Sequence, residues 1–115
     1  MPLISWDSVK KEILSERIAR KVINGEKVAL VQIFLAKDAV IPKHQHESEE
    51  MGCPLEGSVK VEVEGKEVTV HKGEVMHIPR NVPHSVVALE DSIILYVFSP
   101  IRQDWLNGND NYLRQ

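Results

Sequence analysis

The strongest local signal in this chain is the run Val59-Lys60-Val61-Glu62-Val63-Glu64-Gly65-Lys66-Glu67-Val68-Thr69-Val70. Apolar and polar residues alternate along its first half, Gly65 and Lys66 interrupt the alternation, and Val68 resumes it. Residues two apart on a β-strand project from the same face, and glycine favours the tight turn of a hairpin. The run therefore predicts a β-hairpin whose valines share one face and belong to the core.

Short β-rich runs continue on both sides of this hairpin, from residue 17 to residue 98. Gly, Pro, Asn or Asp breaks these runs at intervals of about ten residues. Asn24-Gly25 separates residues 18–23 from 28–36 and predicts a second hairpin, whose latter strand is apolar on both faces and should be buried. Further strands are predicted at 74–78, 85–89 and 93–98. This pattern predicts an all-β sandwich or barrel with its core at about 17–98.

Helical signals are found at the two ends of the chain. Ser5 is a capping residue and predicts a short helix after it. Near the other end, Ser99 as a cap, Pro100 at the first helical position and Gly108 just past the end predict one or two turns over residues 101–106. The last seven residues are expected to form a loose or partner-bound tail.

Composition narrows the class of protein. The chain has 115 residues, 43% of them hydrophobic and 27% charged, which is typical of one compact domain, here residues 1–115. Fourteen basic and seventeen acidic residues give a net charge of -3, and no basic cluster exceeds Lys10-Lys11, which argues against nucleic-acid binding. The longest apolar run, 93–98, is too short to span a membrane. With the lone Cys53 and no recognisable leader, we expect a cytoplasmic protein.

Three histidines and one glutamate suggest a metal site. His44 and His46 are two apart, so on a strand their imidazoles would point to one side, and Glu50 follows after a short bend. His84 must arrive from another strand. Three neutral nitrogens and one carboxylate suit a first-row divalent ion, and an octahedral ion would keep two positions open for substrate or water. The competing interpretation is a surface His pair beside an acidic loop at residues 47–50.

The same residues resemble the first motif of the cupin superfamily, in which His-x-His is followed by Glu and then Gly. His44, His46, Glu50 and Gly57 match it in order and spacing, and Asp38 stands where the motif begins with Gly. Asp tolerates the left-handed backbone conformation that a turn there needs.

The second cupin motif is matched further along the chain. Gly73, Pro79 and His84 fit its spacing, with Asn81 in place of its second Gly and Ala88 in place of its final Asn. The resemblance implies a double-sheet jelly roll, commonly a homodimer, holding one divalent ion on His44, His46, Glu50 and His84. Iron, manganese, nickel, cobalt and zinc all fit such a ligand set.

The C-terminal part resembles the small cupins of pectin and alginate breakdown, which open the rings of unsaturated monouronates to give linear keto sugars. The shared residues are Val97, Phe98, Ser99-Pro100, Arg102 and Asp104, with an aromatic residue after them. The resemblance implies that Phe98 offers an apolar face to a sugar and that Arg102 binds its carboxylate. Tyr96 stands where those enzymes have an Asp that takes part in proton transfer. By alternation Tyr96 and Phe98 face the same way, so the Tyr96 hydroxyl is the candidate acid or hydrogen-bond donor.

These observations favour a metal-dependent enzyme that acts on a small carboxylated or carbonyl-bearing molecule. An iron(II) dioxygenase of the flavonol or diketone type and a non-catalytic binding module are the alternatives. Arg102 could also merely pair with Asp104 at the surface. Among the remaining candidates, His71 should be solvated, His77 could line an interface, and Cys53 should be buried or, less often for such a residue, face the cavity.

Overall fold

The computed structural model describes residues 1–114, and within them ten strands form two antiparallel sheets. The strands are β1 (Glu12–Ile13), β2 (Ile18–Asn24), β3 (Ala29–Leu35), β4 (Val40–His44), β5 (Glu49–Glu56), β6 (Ser58–Val63), β7 (Lys66–His71), β8 (Met76–Ile78), β9 (His84–Ala88) and β10 (Ser92–Ser99). One sheet has the order β1-β2-β3-β10-β5-β8, and the other has the order β4-β9-β6-β7. The predicted all-β architecture is confirmed.

The valine run forms the hairpin β6–β7, as predicted. Val59 pairs with Val70 and Val61 with Val68, and the turn at Glu64 and Gly65 has the positive φ angles of 51° and 79° that glycine favours. Val59, Val61 and Val70 are buried, whereas Val68 is 57% exposed because β7 is the outer strand of its sheet. The valines of β6 and Val70 therefore belong to the core or pack against it, whereas Val68 lies outside it.

The second predicted hairpin is also present, as β2 and β3. Its turn closes with a hydrogen bond of 2.7 Å from the Gly25 amide to the Val28 carbonyl. β3 lies between β2 and β10, and its residues alternate between buried and half-buried. The apolar outward-facing residues Leu30 and Phe34 are half-buried, so the expectation that this strand is buried on both faces is only partly met.

The core lies between the two sheets and consists of the inward-facing residues of each strand. They include Val31, Ile33, Leu35, Ile41, Val59, Val61, Ile78, Val86, Ala88, Ile94, Tyr96 and Phe98. β10 runs through the middle of the larger sheet, between β3 and β5. The register of β5 and β10 shifts next to Pro54, which is the irregularity expected of a proline in a strand. This packing places β4, β5, β9 and β10 around one end of the core.

The ends of the chain differ in part from the prediction. A 3-10 turn at Trp6–Ser8 follows Ser5, whose hydroxyl accepts a hydrogen bond from the Asp7 amide, as expected. The second helix, α1 (Gln103–Leu106), begins two residues later than predicted, since Ser99 still belongs to β10 and Arg102 takes the N-cap position. Gly108 has a positive φ of 75° just past the helix, where a glycine was expected.

Candidate metal centre and ligand cavity

The predicted metal-ligating residues come together at one end of the core. His44 is the last residue of β4 and His84 is the first residue of β9, and the two are direct partners in the ladder between these strands. Glu50 is the second residue of β5. His46 lies beyond the end of β4, so it reaches the site from a loop and not, as predicted, by alternation along a strand. A hydrogen bond of 2.8 Å from the Asn81 amide to the His46 carbonyl joins this loop to the turn before β9.

Two positions that replace motif glycines adopt the backbone conformation that the sequence required. Asp38 has a φ of 72° and Asn81 has a φ of 58°. Asp and Asn tolerate this left-handed conformation better than other side-chain-bearing residues. Both turns therefore keep the geometry of the motif without its glycine.

Each of the three imidazoles donates its Nδ1 hydrogen to a backbone carbonyl. His44 donates to Pro42, His46 to Ser48 and His84 to Val82, each at 2.8 Å. A carbonyl oxygen only accepts, so these bonds place the proton of the neutral ring on Nδ1 and leave Nε2 as a free lone pair. The ligand atoms of the three rings lie within 4.8 Å of one another.

The carboxylate of Glu50 faces the same point. Its Oε1 lies 2.9 Å from His46 Nε2 and 3.1 Å from His84 Nε2, and all three side chains are buried. Burial by itself raises the pKa of Glu50, but the hydrogen bonds from His46 and His84 outweigh this effect and lower the pKa to about 2. Burial, followed by the proximity of His84, lowers the pKa of His44 to about 4.

This donor set fits a divalent ion. Without a metal ion, protons on Nε2 form the hydrogen bonds from His46 and His84 to Glu50. A divalent ion would take the place of these protons and would be held by the Nε2 lone pairs and the ionised carboxylate. Ligands about 2.1 Å from one ion and at right angles to each other are about 3.0 Å apart, which is close to the separations between Glu50 and the two imidazoles. The carbonyl partners of Nδ1 supply the outer hydrogen bonds that orient histidine ligands in metal sites.

Tyr96 and Phe98 line the cavity next to this cluster, and they face the same way, as predicted. Their rings are stacked with centroids 5.5 Å apart and an interplanar angle of 19°. Phe98 also meets the ring of His46 edge-on at 5.8 Å. Burial, followed by the nearby negative charge of Glu50, raises the pKa of Tyr96 well above its ordinary value, so its hydroxyl stays protonated at neutral pH.

Arg102 is buried at the wall of the same cavity and is only 4% exposed. Asp104 accepts two hydrogen bonds from its guanidinium, at 2.8 and 2.6 Å. The guanidinium lies 4.9 Å from the ring centroid of Phe98 and 4.6 Å from that of Trp105. The pairing with Asp104 occurs as one interpretation foresaw, but its placement at the surface is wrong, because Phe98 and Trp105 cover the guanidinium.

Sequence reasoning missed Tyr112, which belongs to the site. Its ring stacks on His44 with centroids 4.7 Å apart, and its hydroxyl accepts hydrogen bonds from Arg102 and from Trp105 Nε1.

The expectation of a loose tail is wrong, because Leu113 is 1% exposed in the core and Asp110 pairs with the buried Arg20 at 2.8 Å. The sequence signal that could have predicted this burial is the bulky pair Tyr112-Leu113 in an otherwise polar segment.

The remaining candidates lie outside the site. His71 is solvated as expected, with 64% of its side chain exposed and a hydrogen bond to Glu74. His77 is exposed and contacts Glu49 at 2.6 Å. Cys53 is only partly buried, and it lies between the inward-facing Gly52 and Pro54, so its thiol faces away from the cavity.

Comparison with known proteins agrees with this geometry. The sequence model of the cupin domain matches residues 31–99, and the chain therefore belongs to the cupin family. The chain is 31% identical over 103 residues to the pectin degradation protein KdgF of Dickeya dadantii strain 3937, and the match covers 87% of this chain and 94% of that protein.

Solved structures of other proteins share the fold. The structure of KdgF from Halomonas sp. superimposes with a TM-score of 0.84 at 28% identity, covering 91% of this chain and 98% of that one. An RmlC-like cupin from Shewanella frigidimarina NCIMB 400 gives a TM-score of 0.84 at 23% identity, with 90% and 94% covered. The expected cupin fold is thus confirmed. Among residues 1–114, no helix combines the length and the apolarity needed to cross a membrane.

Proposed function

We propose that the protein is a metal-dependent enzyme that acts on a small carboxylated sugar, and that the substrate is an unsaturated uronate whose ring it opens. The observation that carries this proposal is the buried guanidinium of Arg102 on the wall of the cavity that His44, Glu50 and His84 also line. A buried cation that is stacked on aromatic rings is a suitable partner for a carboxylate. The similarity to KdgF supports the same class of substrate.

The proposed metal ligands are His44, His46, His84 and Glu50. Their fit rests on the Nδ1 hydrogen bonds, which leave three Nε2 lone pairs, and on the ionised carboxylate of Glu50. One divalent ion, such as iron, manganese, nickel, cobalt or zinc, would supply Lewis-acid polarisation of a substrate oxygen.

The other residues have separate proposed roles. Arg102 binds the substrate carboxylate, and Phe98 presents its ring to the apolar face of the sugar. Opening the hemiacetal ring of an unsaturated uronate breaks the bond between the anomeric carbon and the ring oxygen and leaves an enol. The enol becomes a ketone when it takes up a proton on carbon, and this proton balances the one lost by the anomeric hydroxyl.

Tyr96 is the proposed proton donor for this step. Burial keeps its hydroxyl protonated at neutral pH, and this makes Tyr96 a donor and not a general base. The reaction is an isomerisation that consumes no oxidant. This distinguishes it from the dioxygenase alternative.

Assembly and location are part of the same proposal. The outer face of the larger sheet is rich in apolar residues, namely Leu30, Phe34, Met51, Cys53, Leu55, Ile93, Leu95 and Val97. Met51 is 51% exposed and Leu55 is 40% exposed. We propose that residues 1–115 form one domain, that two copies pack through this face as a homodimer, and that the protein is cytoplasmic. Light scattering on the purified protein measures its mass in solution and so distinguishes a monomer from the proposed dimer.

The test of the reaction uses an unsaturated monouronate and follows the loss of the ultraviolet absorbance of its double bond, with metal-loaded and chelator-treated protein. We expect turnover in the absence of O₂ and only after metal loading. Oxygen consumption with a flavonol and bound iron would instead assign the protein to the dioxygenases. Tight binding of the uronate without turnover would identify a binding module.

A further inference from the structure

Residues 109–114, which we call the C-terminal strap, fold back against the metal-site cavity and place Tyr112 and Leu113 in its wall. Asp110 anchors the strap through its contact of 2.8 Å with Arg20, and both side chains are about 5% exposed or less. Leu113 is 1% exposed and belongs to the hydrophobic core. Hydrogen bonds from the Leu113 amide to Asp110 and from the Arg114 amide to Asn111, each of 3.0 Å, close its 3-10 turn.

The strap leaves too little space for a sugar. With Tyr112 and Leu113 among its walls, the cavity has a volume of about 20 Å³, enough for about one water molecule. Pockets that hold small organic ligands are typically at least about 300 Å³ in volume. A sugar-sized ligand therefore enters only when part of the wall moves, and the strap is the part of this wall that follows the last strand and helix.

Asp104 and Tyr112 accept the hydrogen bonds of Nε and Nη2 of Arg102, so a ligand carboxylate that binds Nη1 and Nη2 together competes with the Tyr112 hydroxyl. Nε and Nη2 of Arg102 each donate a hydrogen bond to the Asp104 carboxylate, and Nη2 also donates to the Tyr112 hydroxyl. The Tyr112 hydroxyl in turn donates to Asp104 at 3.1 Å. A ligand carboxylate can replace the Tyr112 hydroxyl as an acceptor for Arg102, whereas a neutral sugar hydroxyl gives a weaker bond to the same buried cation.

We propose that Tyr112 is a specificity-determining residue, and that a ligand carboxylate displaces its hydroxyl from Arg102 and thereby releases the strap. This inference rests on the proposed function, since it concerns how the same site admits a uronate. Neutral sugars of the same size are excluded because they do not break the contact between Arg102 and Tyr112.

Hydrogen–deuterium exchange of the C-terminal peptide tests the release of the strap. The probe is sodium galacturonate, a saturated uronate without the reacting double bond, and galactose is its matched neutral control. We expect galacturonate to speed exchange at the amides of Leu113 and Arg114, and galactose to leave it unchanged. Slower or unchanged exchange with galacturonate, or the same acceleration with galactose, would overturn the proposal.

A conservative variant separates the hydroxyl from the packing of the ring. Tyr112→Phe keeps a ring against His44 and removes the contact with Arg102. Since a hydrogen bond to a charged group is lost, exchange in the ligand-free strap should rise about tenfold and galacturonate should bind about tenfold tighter. The exposed neighbour Asn111 supplies the control Asn111→Ala, which should change neither value. Unchanged exchange and affinity in Tyr112→Phe would also overturn the proposal.

These readouts separate the two claims. If the protein does not turn over an unsaturated uronate but galacturonate still speeds exchange in the strap, the proposed reaction is wrong and the strap mechanism is supported. If the protein turns over the uronate but galacturonate does not change exchange in the strap, the strap mechanism is wrong and the proposed reaction is supported.

Discussion

The ring of Tyr96 lies directly against Gly52, its partner on the neighbouring strand β5. A Cβ atom at residue 52 would lie 2.6 Å from Cε1 and 2.8 Å from Cδ1 of the Tyr96 ring. These distances are far below a van der Waals contact, so the position of Tyr96 in the cavity depends on the absence of a side chain at residue 52.

Gly52→Ala should therefore both destabilise the protein and displace Tyr96. Overpacking of this kind typically costs about 1–3 kcal/mol in the free energy of unfolding, which chemical denaturation measures. In a Tyr96→Ala background the added methyl group has space, so the cost of Gly52→Ala should largely disappear. An equal loss of unfolding free energy in both backgrounds would show that Gly52 and the Tyr96 ring are not in contact.

Tyr96→Phe removes the hydroxyl and keeps the ring stacked on Phe98. If Tyr96 donates the proton, kcat for the uronate should fall about a hundredfold or more, while metal content and thermal stability stay the same. The steady-state rate and the metal content are measured on one preparation. A kcat within twofold of the parent protein would exclude Tyr96 as the donor.

Arg102→Gln should raise KM for a carboxylated substrate about tenfold to a hundredfold, since a charge-assisted contact to the carboxylate is lost. The metal content should remain that of the parent protein, because Arg102 contacts none of the proposed ligands through a hydrogen bond. Arg80→Gln is the matched control, since Arg80 forms an exposed ion pair with Glu47 at 3.4 Å. Equal KM values for the two variants would assign Arg102 a structural role only.

Acid should destabilise the metal-free protein as the pH falls below about 6.5. The pKa of His44 drops from 6.5 to about 4 on folding, so between these values the unfolded chain binds a proton that the folded chain does not. The contribution of His44 to the free energy of unfolding is therefore fully present above pH 6.5, and it is lost as the pH falls from 6.5 toward 4. The lowered pKa of Glu50 extends the loss from 4.5 toward about 2. Thermal melts of chelator-treated protein at pH 7 and pH 5 measure the effect, and equal melting temperatures would contradict it.

The fold was predictable because its signals are local. Alternating valines with Gly65 between them specify the hairpin β6–β7, and Asn24-Gly25 specifies β2–β3. The histidines and Glu50 were predictable as a group because their spacing matches a known motif.

Other features depend on contacts between distant parts of the chain. The strap is held by Arg20 and by the core around Leu113, and six residues carry no periodicity that reveals such contacts. For the same reason the burial of Arg102 under Trp105 could not be predicted, although its pairing with Asp104, two residues away, could.

The convergence of four side chains on one divalent ion is the central claim, and calorimetric titration of chelator-treated protein with Zn²⁺ tests it most directly. We expect one ion per chain for the parent protein and at least a tenfold weaker affinity for His46→Ala and Glu50→Ala, with the exposed His71→Ala unchanged. Full affinity in both site variants, or no binding by the parent protein, would contradict the account.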